Sequence, residues 1–460
     1  VMKKIECTVL PAVAATLRET GCTRRERMVV GVSGGMDSMV LMDIMSQLVD
    51  SCVVVHCDHM LRSESAEDAR FVAMEAQQRG CASISRSDDV TARARAGSMS
   101  IEEAGREARY ALFTQVASDI GATKVVLGHH MDDQAETVLM RLMRGSGSTG
   151  LRGMIALREG VFLRPMLNIT RAEIKAYAEA NDISFREDET NADWRFLRNR
   201  VRGDLLPALR QYNPNIVQTL HRVATVLQGE DGFVEEAAQS AINSVLIECC
   251  EHKIILDVPR LVDYHIAVQR RLIRLALGKI FTGHIEYAWV ERILQLAKGK
   301  GNTLHDVGKG IRVQCWNNRL FLRRGTACSL AVRVSIPGTV RVPERSGIFS
   351  CRTAPVEAFE SVRSQLSDSH IALDADKLGN HPMLRSAAVG DRFRPFGMRG
   401  QKKLSDFLID QKYPRILRDE VLVLESEGQI AWVVGMRISD TFCVGPSSSR
   451  IALIRFNVNA

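Results

Sequence analysis

A short turn rich in glycine and serine separates two apolar segments near the start of this 460-residue chain. The apolar run 28–30 precedes the turn, and an apolar helical pattern over 39–49 follows it. The residues of the turn are Ser33, Gly34, Gly35, Met36, Asp37 and Ser38. A strand, a tight turn and a helix in this order aim backbone amides and hydroxyls at the positive end of a helix, which suits a phosphate. Asp37 would hold Mg²⁺, and the turn lacks the lysine of GxxxxGK[ST] loops, so a nucleotide pyrophosphate is the predicted ligand.

The first half of the chain alternates between strand-like and helix-like segments. Strands are predicted near 28–32, 52–57, 82–86, 124–128 and 161–164, and helices near 38–49, 64–79, 100–119, 132–144 and 170–181. This rhythm predicts an α/β fold, a doubly wound parallel sheet with helices on both faces. Such sheets bind ligands outside the carboxyl ends of their strands. The glycine turn, Asp58 and the segment 129–133 are all expected at that edge.

Four stretches of sequence resemble known proteins. The turn resembles the SGGxDS signature of the PP-loop ATP pyrophosphatases, and residues 128–137, GHHMDDQAET, resemble the GHHxDDQxET segment of tRNA(Ile)-lysidine synthetases and their tRNA-thiolating relatives. Residues 55–62, VHCDHMLR, resemble the VDHxLR segment of the same fold but depart from it at His56 and Cys57. Residues 390–398, with 402–407 and 413–415, are similar to the C-terminal domain of the long, bacterial-type tRNA(Ile)-lysidine synthetase family.

The resemblance implies an architecture and a reaction. The parallel sheet would be of the PP-loop, adenine-nucleotide hydrolase-like type, followed by a helical middle domain and a small α+β C-terminal domain. ATP would be split between its α- and β-phosphates to adenylate the C2 carbonyl oxygen of the wobble cytidine of tRNA(Ile) with a CAU anticodon. Free L-lysine would then displace AMP to form lysidine. The partners implied are ATP, Mg²⁺, that tRNA and lysine, and the family resemblance also suggests a homodimer.

The same resemblance implies roles for individual residues. Asp37 and Asp133 would hold Mg²⁺, and Glu136 would orient or deprotonate the incoming ammonium group. Arg109, in a segment matching E-x-x-x-R-x-x-R-Y, would stabilise pyrophosphate or the adenylate, and His56 would belong to the nucleotide site. Two plainer interpretations remain open: the carboxylates as capping charges of a helix, and Arg109 as a surface partner of nearby glutamates.

Basic residues in two regions are predicted to contact tRNA. The first region interleaves arginines with Trp194 and Phe196, a pattern that suits RNA phosphates and bases, although a solvated helix is the alternative. The second region lies in the C-terminal module. The residues are Arg195, Arg198, Arg200, Arg392, Arg394, Lys402, Lys403 and Arg415.

Composition excludes some classes of protein and leaves others open. The formal net charge is +7, which fits a polyanionic partner or merely a basic surface. The 11 cysteines include no CxxC pair, which speaks against a 2-thiolating PP-loop enzyme, the main alternative function. Scattered thiols and the lack of a long apolar run predict a cytoplasmic protein without a membrane span. A small-molecule ATP amidotransferase and a non-catalytic RNA-binding protein are the remaining alternatives.

Four regions are expected along the chain. They are a catalytic ATP-binding domain at 1–214, a mostly helical tRNA-binding domain at 215–330, a linker with strands at 331–374 and an α+β domain at 375–460. Residues 145–150 match GxGxxG but follow a helix instead of a strand, so a flexible loop is predicted there, with a lid as one use.

Overall fold

A computed structural model describes residues 2–60, 65–186, 194–299, 302–342 and 347–458. Leu61 and Arg62, which end one of the family-like segments, lie outside the described residues. The chain forms two compact units, Val1–Phe233 and Val234–Ala460.

The first unit is built on a six-stranded sheet in the order β3-β2-β1-β4-β6-β5. Its strands are β1 (Arg27–Gly31), β2 (Ser51–Asp58), β3 (Ala82–Ser87), β4 (Lys124–Leu127), β5 (Leu157–Arg158) and β6 (Phe162–Leu163). All neighbours are parallel except β5, which forms an antiparallel hairpin with β6 at the edge. The predicted doubly wound parallel sheet is thus confirmed.

Helices cover both faces of this sheet. They are α1 (Met2–Glu19), α2 (Met36–Leu48), α3 (Ser65–Gln78), α4 (Val90–Gly97), α5 (Ile101–Ile120), α6 (Met131–Met143), α7 (Ser148–Leu151), α8 (Arg171–Ala180), α9 (Leu197–Arg200) and α10 (Leu206–Tyr212). Met28 and Val30 of β1 enter the core shared with α2, whereas Val29 between them enters the core formed with α5. Because both faces are buried, the strand reads as a continuous apolar run.

One long helix, α11 (Ile216–Val245), ends the first unit and continues into the second. The apolar pattern of the sequence predicts two shorter helices in this range, over 216–227 and 234–246. The glycines at 229 and 232 interrupt the apolar pattern, but neither has a strained backbone angle that would end a helix.

The second unit begins with a five-stranded sheet and three helices. These are β7 (Leu246–Cys249), β8 (Lys253–Asp257), α12 (Val258–Val262), α13 (Ile266–Ile280), α14 (Tyr287–Lys298), β9 (Leu304–Gly308), β10 (Ile311–Trp316) and β11 (Arg319–Arg324). The helices α12, α13 and α14, together with α11, agree with the helical middle domain that was expected. The sheet beside them, in the order β7-β8-β11-β10-β9, was only partly foreseen.

The described remainder of the second unit has two larger antiparallel sheets around a common core and a third, two-stranded one formed by β17 and β18. The strands are β12 (Ala331–Arg333), β13 (Gly338–Val342), β14 (Gly347–Pro355), β15 (His370–Asp374), β16 (Met383–Ser386), β17 (Arg392–Phe393), β18 (Lys402–Lys403), β19 (Leu422–Ser426), β20 (Gln429–Val433), β21 (Arg437–Ile438) and β22 (Arg450–Val458), and the helices are α15 (Phe359–Val362), α16 (Ala375–Leu378) and α17 (Leu404–Asp410).

The strands between 331 and 374 do not form a separate linker. β12 pairs with β16, and both β14 and β15 pair with β22, so these strands are integral to the two sheets. The sequence reading of this stretch as a linker differs from the structure because its strand partners lie many residues further along the chain.

A buried arginine ties the two parts of the second unit together. Arg323 of β11 has a fully buried side chain, and its Nη1 donates to the carbonyl oxygen of Ile416 (2.7 Å) and to the carboxylate of Asp419 (2.5 Å). Beside it, Ile416 packs on Ile255 and Phe321 of the five-stranded sheet. The 414–420 segment therefore covers one face of that sheet.

Candidate active site

The carboxyl ends of four neighbouring strands carry the polar residues of the candidate site. The glycine turn follows β1, Asp58 ends β2, His129 and His130 follow β4, and Arg164 follows β6. Since β2, β1, β4 and β6 are consecutive and parallel, these positions share one edge of the sheet. This is the edge at which sheets of this type bind ligands.

The serine hydroxyls hold the glycine turn in shape. Ser38 Oγ accepts a hydrogen bond from the Ser33 amide (3.1 Å) and donates one to the Gly35 carbonyl oxygen (2.9 Å). Gly34 has a φ of +91°, a conformation that L side chains rarely adopt. Gly35 is the N-cap of α2, so the turn meets the positive end of a 13-residue helix. This local geometry fits an anion.

Two neighbours fix the position of the turn. A Cβ atom at Gly128 would lie 3.3 Å from the carbonyl oxygen of Asp37, so the end of β4 approaches the turn closely. His56, which is buried, places Nδ1 at 2.9 Å from the carbonyl oxygen of Val32. His56 therefore supports the backbone that leads into the turn, and its direct contact with nucleotide stays a prediction.

His130 lies between the two predicted metal ligands. Its Nε2 is 3.5 Å from Asp37 Oδ2 and 3.4 Å from Asp133 Oδ2. Burial opposes protonation of this ring, but Asp133 and Asp37 outweigh that effect and raise the pKa of His130. The ring and backbone of His130 also form a capping box with Asp133 at the start of α6. Asp133 therefore caps α6, as the plainer interpretation expected, and it also lies in the candidate site.

Asp37 and Asp133 differ in how well their carboxylates fit Mg²⁺. Among the described residues, no group of three or more His, Cys, Asp or Glu side chains is arranged to hold a metal ion. Asp37 Oδ1 is nevertheless buried without a hydrogen-bond partner, as an oxygen meant for a cation would be. In contrast, Asp133 Oδ1 contacts Arg198, and its Oδ2 accepts from the His130 amide (3.0 Å). Asp37 therefore fits a direct ligand better than Asp133 does.

Asp133 and Glu136 hold a pair of arginines. Arg198 reaches Asp133 Oδ1 (2.6 Å) and Glu136 Oε2 (2.7 Å), and Arg202 reaches Glu136 Oε1 (2.5 Å) and Asp133 Oδ1 (3.1 Å). The Glu136 side chain is 1% exposed. Burial disfavours the charged form of Asp133, yet His130 and Arg198 keep its pKa below the usual range. We call these four residues the acid–arginine cluster.

The cluster changes the interpretation of the arginine-rich segment. Arg198 was predicted to bind tRNA, but its guanidinium faces the two carboxylates of α6; a tRNA role for it stays a prediction. Arg202 was not among the predicted site residues. Its spacing of four from Arg198 could have indicated it, because residues at i and i+4 share a helix face. Arg195 and Arg200 are exposed.

Two further arginines approach the site from other elements. Arg109 of α5 donates from Nε to the Gly105 carbonyl oxygen at 3.3 Å. Arg164, which the sequence analysis missed, is 3% exposed. An arginine directly after the buried strand β6 was the signal that could have revealed it.

Residues 145–154 are held in place by two helices. Asp231 of α11 accepts hydrogen bonds from Thr149 Oγ1 (2.8 Å) and Arg152 Nη1 (2.8 Å). From α6, Arg141 donates to the carbonyl oxygens of Gly150 (2.7 Å) and Gly153 (2.9 Å). The segment contains α7 and is not the flexible loop that its glycines predicted, because side chains outside it, among them the sequence-distant Asp231, hold it.

The five C-terminal residues predicted to bind tRNA divide into two groups. Arg392, Lys403 and Arg415 are exposed. Arg394 is paired with Asp440 (2.5 Å), and Lys402 is paired with Asp410. The first group therefore offers its charge to a ligand more readily than the second.

Two structural observations concern points raised by the composition, namely the pairing of cysteines and a membrane span. Cys52 and Cys81 place their Sγ atoms 3.0 Å apart, but they lie at the amino ends of β2 and β3, opposite the candidate site. Within the described residues, no helix is both long and apolar enough to cross a membrane.

Comparison with known proteins identifies similar chains over the full length. The family model described as "PP-loop domain" matches residues 9–209, and that described as "TilS substrate C-terminal domain" matches residues 383–454. The chain is 35% identical to the tRNA(Ile)-lysidine synthase of Geobacter sulfurreducens, over 97% of each chain. It is 31% identical to that of Caldanaerobacter subterraneus, over 94% of each. A solved U34-tRNA thiolase of Methanococcus maripaludis is a remote neighbour, with 15% identity, 50% of this chain and 80% of that chain covered, and a TM-score of 0.43.

Proposed function

This chain belongs to the tRNA(Ile)-lysidine synthase family, and from that premise we propose that it joins free L-lysine to C2 of the wobble cytidine of tRNA(Ile) with a CAU anticodon, using ATP. The observation that carries the proposal is the 35% identity over 97% of both chains, which includes the catalytic and the C-terminal regions. Membership in the family establishes a tRNA-modifying ligase that uses ATP. The identity of the amino acid and the order of the chemical steps belong to the proposal.

In the first step, the C2 carbonyl oxygen of the cytidine attacks the α-phosphorus of ATP. The bond from that phosphorus to the bridging oxygen breaks, and pyrophosphate leaves. The turn from Ser33 to Ser38 would bind the phosphates through backbone amides at the start of α2. A wobble cytidine is single-stranded in its loop, so it can enter a pocket without the opening of a duplex.

Asp37 would hold Mg²⁺ at this site through its unpartnered Oδ1. When bound, the ion neutralises charge on the phosphates. His130 orients the carboxylates of Asp37 and Asp133 by lying between them. Asp133 remains a proposed second ligand, although its partners in this structure are His130 and the arginines.

In the second step, the lysine ε-amine attacks C2, the bond from C2 to the adenylate oxygen breaks, and AMP leaves. The acid–arginine cluster would place Arg198 and Arg202 where negative charge develops on the departing phosphate. Both carboxylate oxygens of Glu136 contact these arginines, so the first effect of Glu136 is to fix the positions of their guanidinium groups. The role of Glu136 as proton acceptor stays a prediction, as does that of Arg109 beside the adenylate.

The experiment that tests the function measures AMP and pyrophosphate release from Mg·ATP with a CAU-anticodon tRNA(Ile) transcript and lysine, each omitted in turn. We expect release to need the tRNA and labelled lysine to become attached to it. Release that needs tRNA but leaves lysine in solution would contradict the proposal and reopen sulfur as the nucleophile. No release with any tRNA would contradict the adenylation step as well.

A further inference from the structure

Arg164 is a buried cation whose protein partners are neutral. It is 3% exposed, and it donates from Nη1 to the Ile155 carbonyl oxygen (3.1 Å) and from Nη2 to the Tyr110 hydroxyl (3.1 Å). Its Nε is buried and has no hydrogen-bond partner. A buried charge without a counter-ion is costly, so a bound anion is the natural complement of such a group.

A second buried nitrogen that has no partner among the described residues follows the neighbouring strand, β4. Leu163 of β6 pairs with Val126 of β4, so Arg164 is level with the residues that lead to His129. Nδ1 of His129 is also buried without a partner. Burial lowers the pKa of His129 to about 3, with Arg164 and two other arginines adding to the effect and Asp133 opposing it. The ring therefore carries no charge near pH 7.

The position of this pair separates it from the phosphate-binding turn. In the sheet, β4 lies between β1, which carries the turn, and β6, which carries Arg164. The two anion sites therefore flank the end of β4, with His130 and the carboxylates between them. A site this buried suits a small anion better than an RNA backbone.

We propose that Arg164, with His129 beside it, binds the α-carboxylate of free lysine. This inference rests on the proposed function, since lysine is the small carboxylate of that reaction. A guanidinium is the donor best suited to a carboxylate, and a fixed carboxylate sets how far the terminal amine can reach. Selection of lysine over its shorter homologue ornithine follows from that fixed distance. Arg164 is thus a substrate-binding residue that selects the amino acid.

The test compares lysine with L-lysinamide, in which the carboxylate is replaced by a neutral amide, in the unmodified protein and in Arg164→Met. We expect the unmodified protein to use lysine with a kcat/KM about 100-fold above that for lysinamide, the loss expected of a charge-assisted contact. In Arg164→Met, kcat/KM for lysine should fall by a similar factor, while that for lysinamide stays within about threefold.

Two further measurements locate any failure. Exchange of pyrophosphate into ATP in the presence of tRNA, without lysine, should be unchanged in Arg164→Met; an equal loss there would assign Arg164 to phosphate or to structure and overturn the proposal. The matched control is Arg158→Met, a partly exposed arginine on the same hairpin paired with Glu159, which should leave all rates unchanged.

The comparison remains decisive if Arg164→Met does not fold. The unmodified protein alone would overturn the proposal by using lysinamide as well as lysine. Absence of lysine transfer with intact tRNA-dependent exchange would instead contradict the proposed function and leave adenylation standing. If the folded variant raised the KM for ATP and not the KM for lysine, the anion that Arg164 binds would be a phosphate.

Discussion

At the scale of single residues, Asp37 has a buried oxygen with no hydrogen-bond partner among the described residues, and it lies in the glycine turn. Asp37→Asn keeps the shape and removes the charge. We expect tRNA-dependent pyrophosphate release to fall by about 10²–10³-fold or more, because the lost carboxylate stabilises the charge that develops in the transition state. Parallel binding and turnover assays would show this as a loss of kcat with an unchanged tRNA Kd.

The control for that change is Asp50→Asn. Asp50 is an exposed aspartate paired with Arg24 at the opposite end of the sheet, so its substitution should leave turnover unchanged. Weakened tRNA binding in Asp37→Asn, equal to the loss of turnover, would argue against the metal-binding role.

Gly34 offers a test of the turn itself. Its φ of +91° is strained for any L side chain, so Gly34→Ala should distort the turn at a cost of about 1–2 kcal/mol. The KM for ATP should rise by roughly tenfold for that free energy. Gly229→Ala, in α11 where an added Cβ meets no atom within 4 Å, should leave ATP binding unchanged. Equal effects of both substitutions would contradict a special role of the turn.

The sequence was informative about residues that lie within one strand–turn–helix unit. The turn, the two histidines and the carboxylates of α6 all follow apolar strands, and that order is visible without a structure. Arg164 and Arg202 become part of the site only because β6 lies beside β4 and because the π-helical turn Val201–Leu205, which follows α9, packs on α6. Such convergence depends on tertiary packing, and no local pattern encodes it.

At the scale of elements, the segment 145–154 depends on Asp231 for its attachment to α11. The Asp231 side chain is fully buried, so Asp231→Ala removes two charge-assisted contacts. We expect the free energy of unfolding to drop by about 1.5–3 kcal/mol. Proteolysis within 145–154 should become faster, and limited digestion followed by mass spectrometry would detect it.

Glu230→Ala is the matched control, since Glu230 is the exposed neighbour of Asp231 on the same helix. If digestion of the two variants proceeded at the same rate, the tether would have no role in holding the segment. The glycines of 145–150 favoured the prediction of a loop. That prediction was wrong because Asp231, which lies 79 to 82 residues further along the chain than its partners, holds the segment in place.

At the scale of the whole molecule, removal of residues from 375 onward is a poor way to test tRNA binding. It would delete β22 and leave β14 and β15 without the strand that pairs with both. Arg323 would also lose both of its partners in the segment that covers its sheet, the Ile416 carbonyl oxygen and Asp419. Surface charge changes are the sharper experiment.

The combined substitution of Arg392, Lys403 and Arg415 by glutamine should weaken tRNA binding without changing the KM for ATP. If each contacts a phosphate, the slope of log binding constant against log salt should become shallower by roughly 0.7–0.9 per residue. Arg394→Gln with Lys402→Gln should have a smaller effect, because Asp440 and Asp410 already pair with those cations. An unchanged salt slope in the triple variant would exclude these residues from the RNA contact.

The acid–arginine cluster also has a consequence for how the protein folds while the ribosome synthesises it. The turn at 33–38 and both carboxylates of α6 leave the exit tunnel well before Arg198 and Arg202 have been translated. Until those arginines arrive, Glu136 cannot be buried as a charged group without a cost of several kcal/mol. Burial of α6 against the nascent sheet is therefore favoured only once residues 197–202 have emerged, and the candidate site is completed at that point.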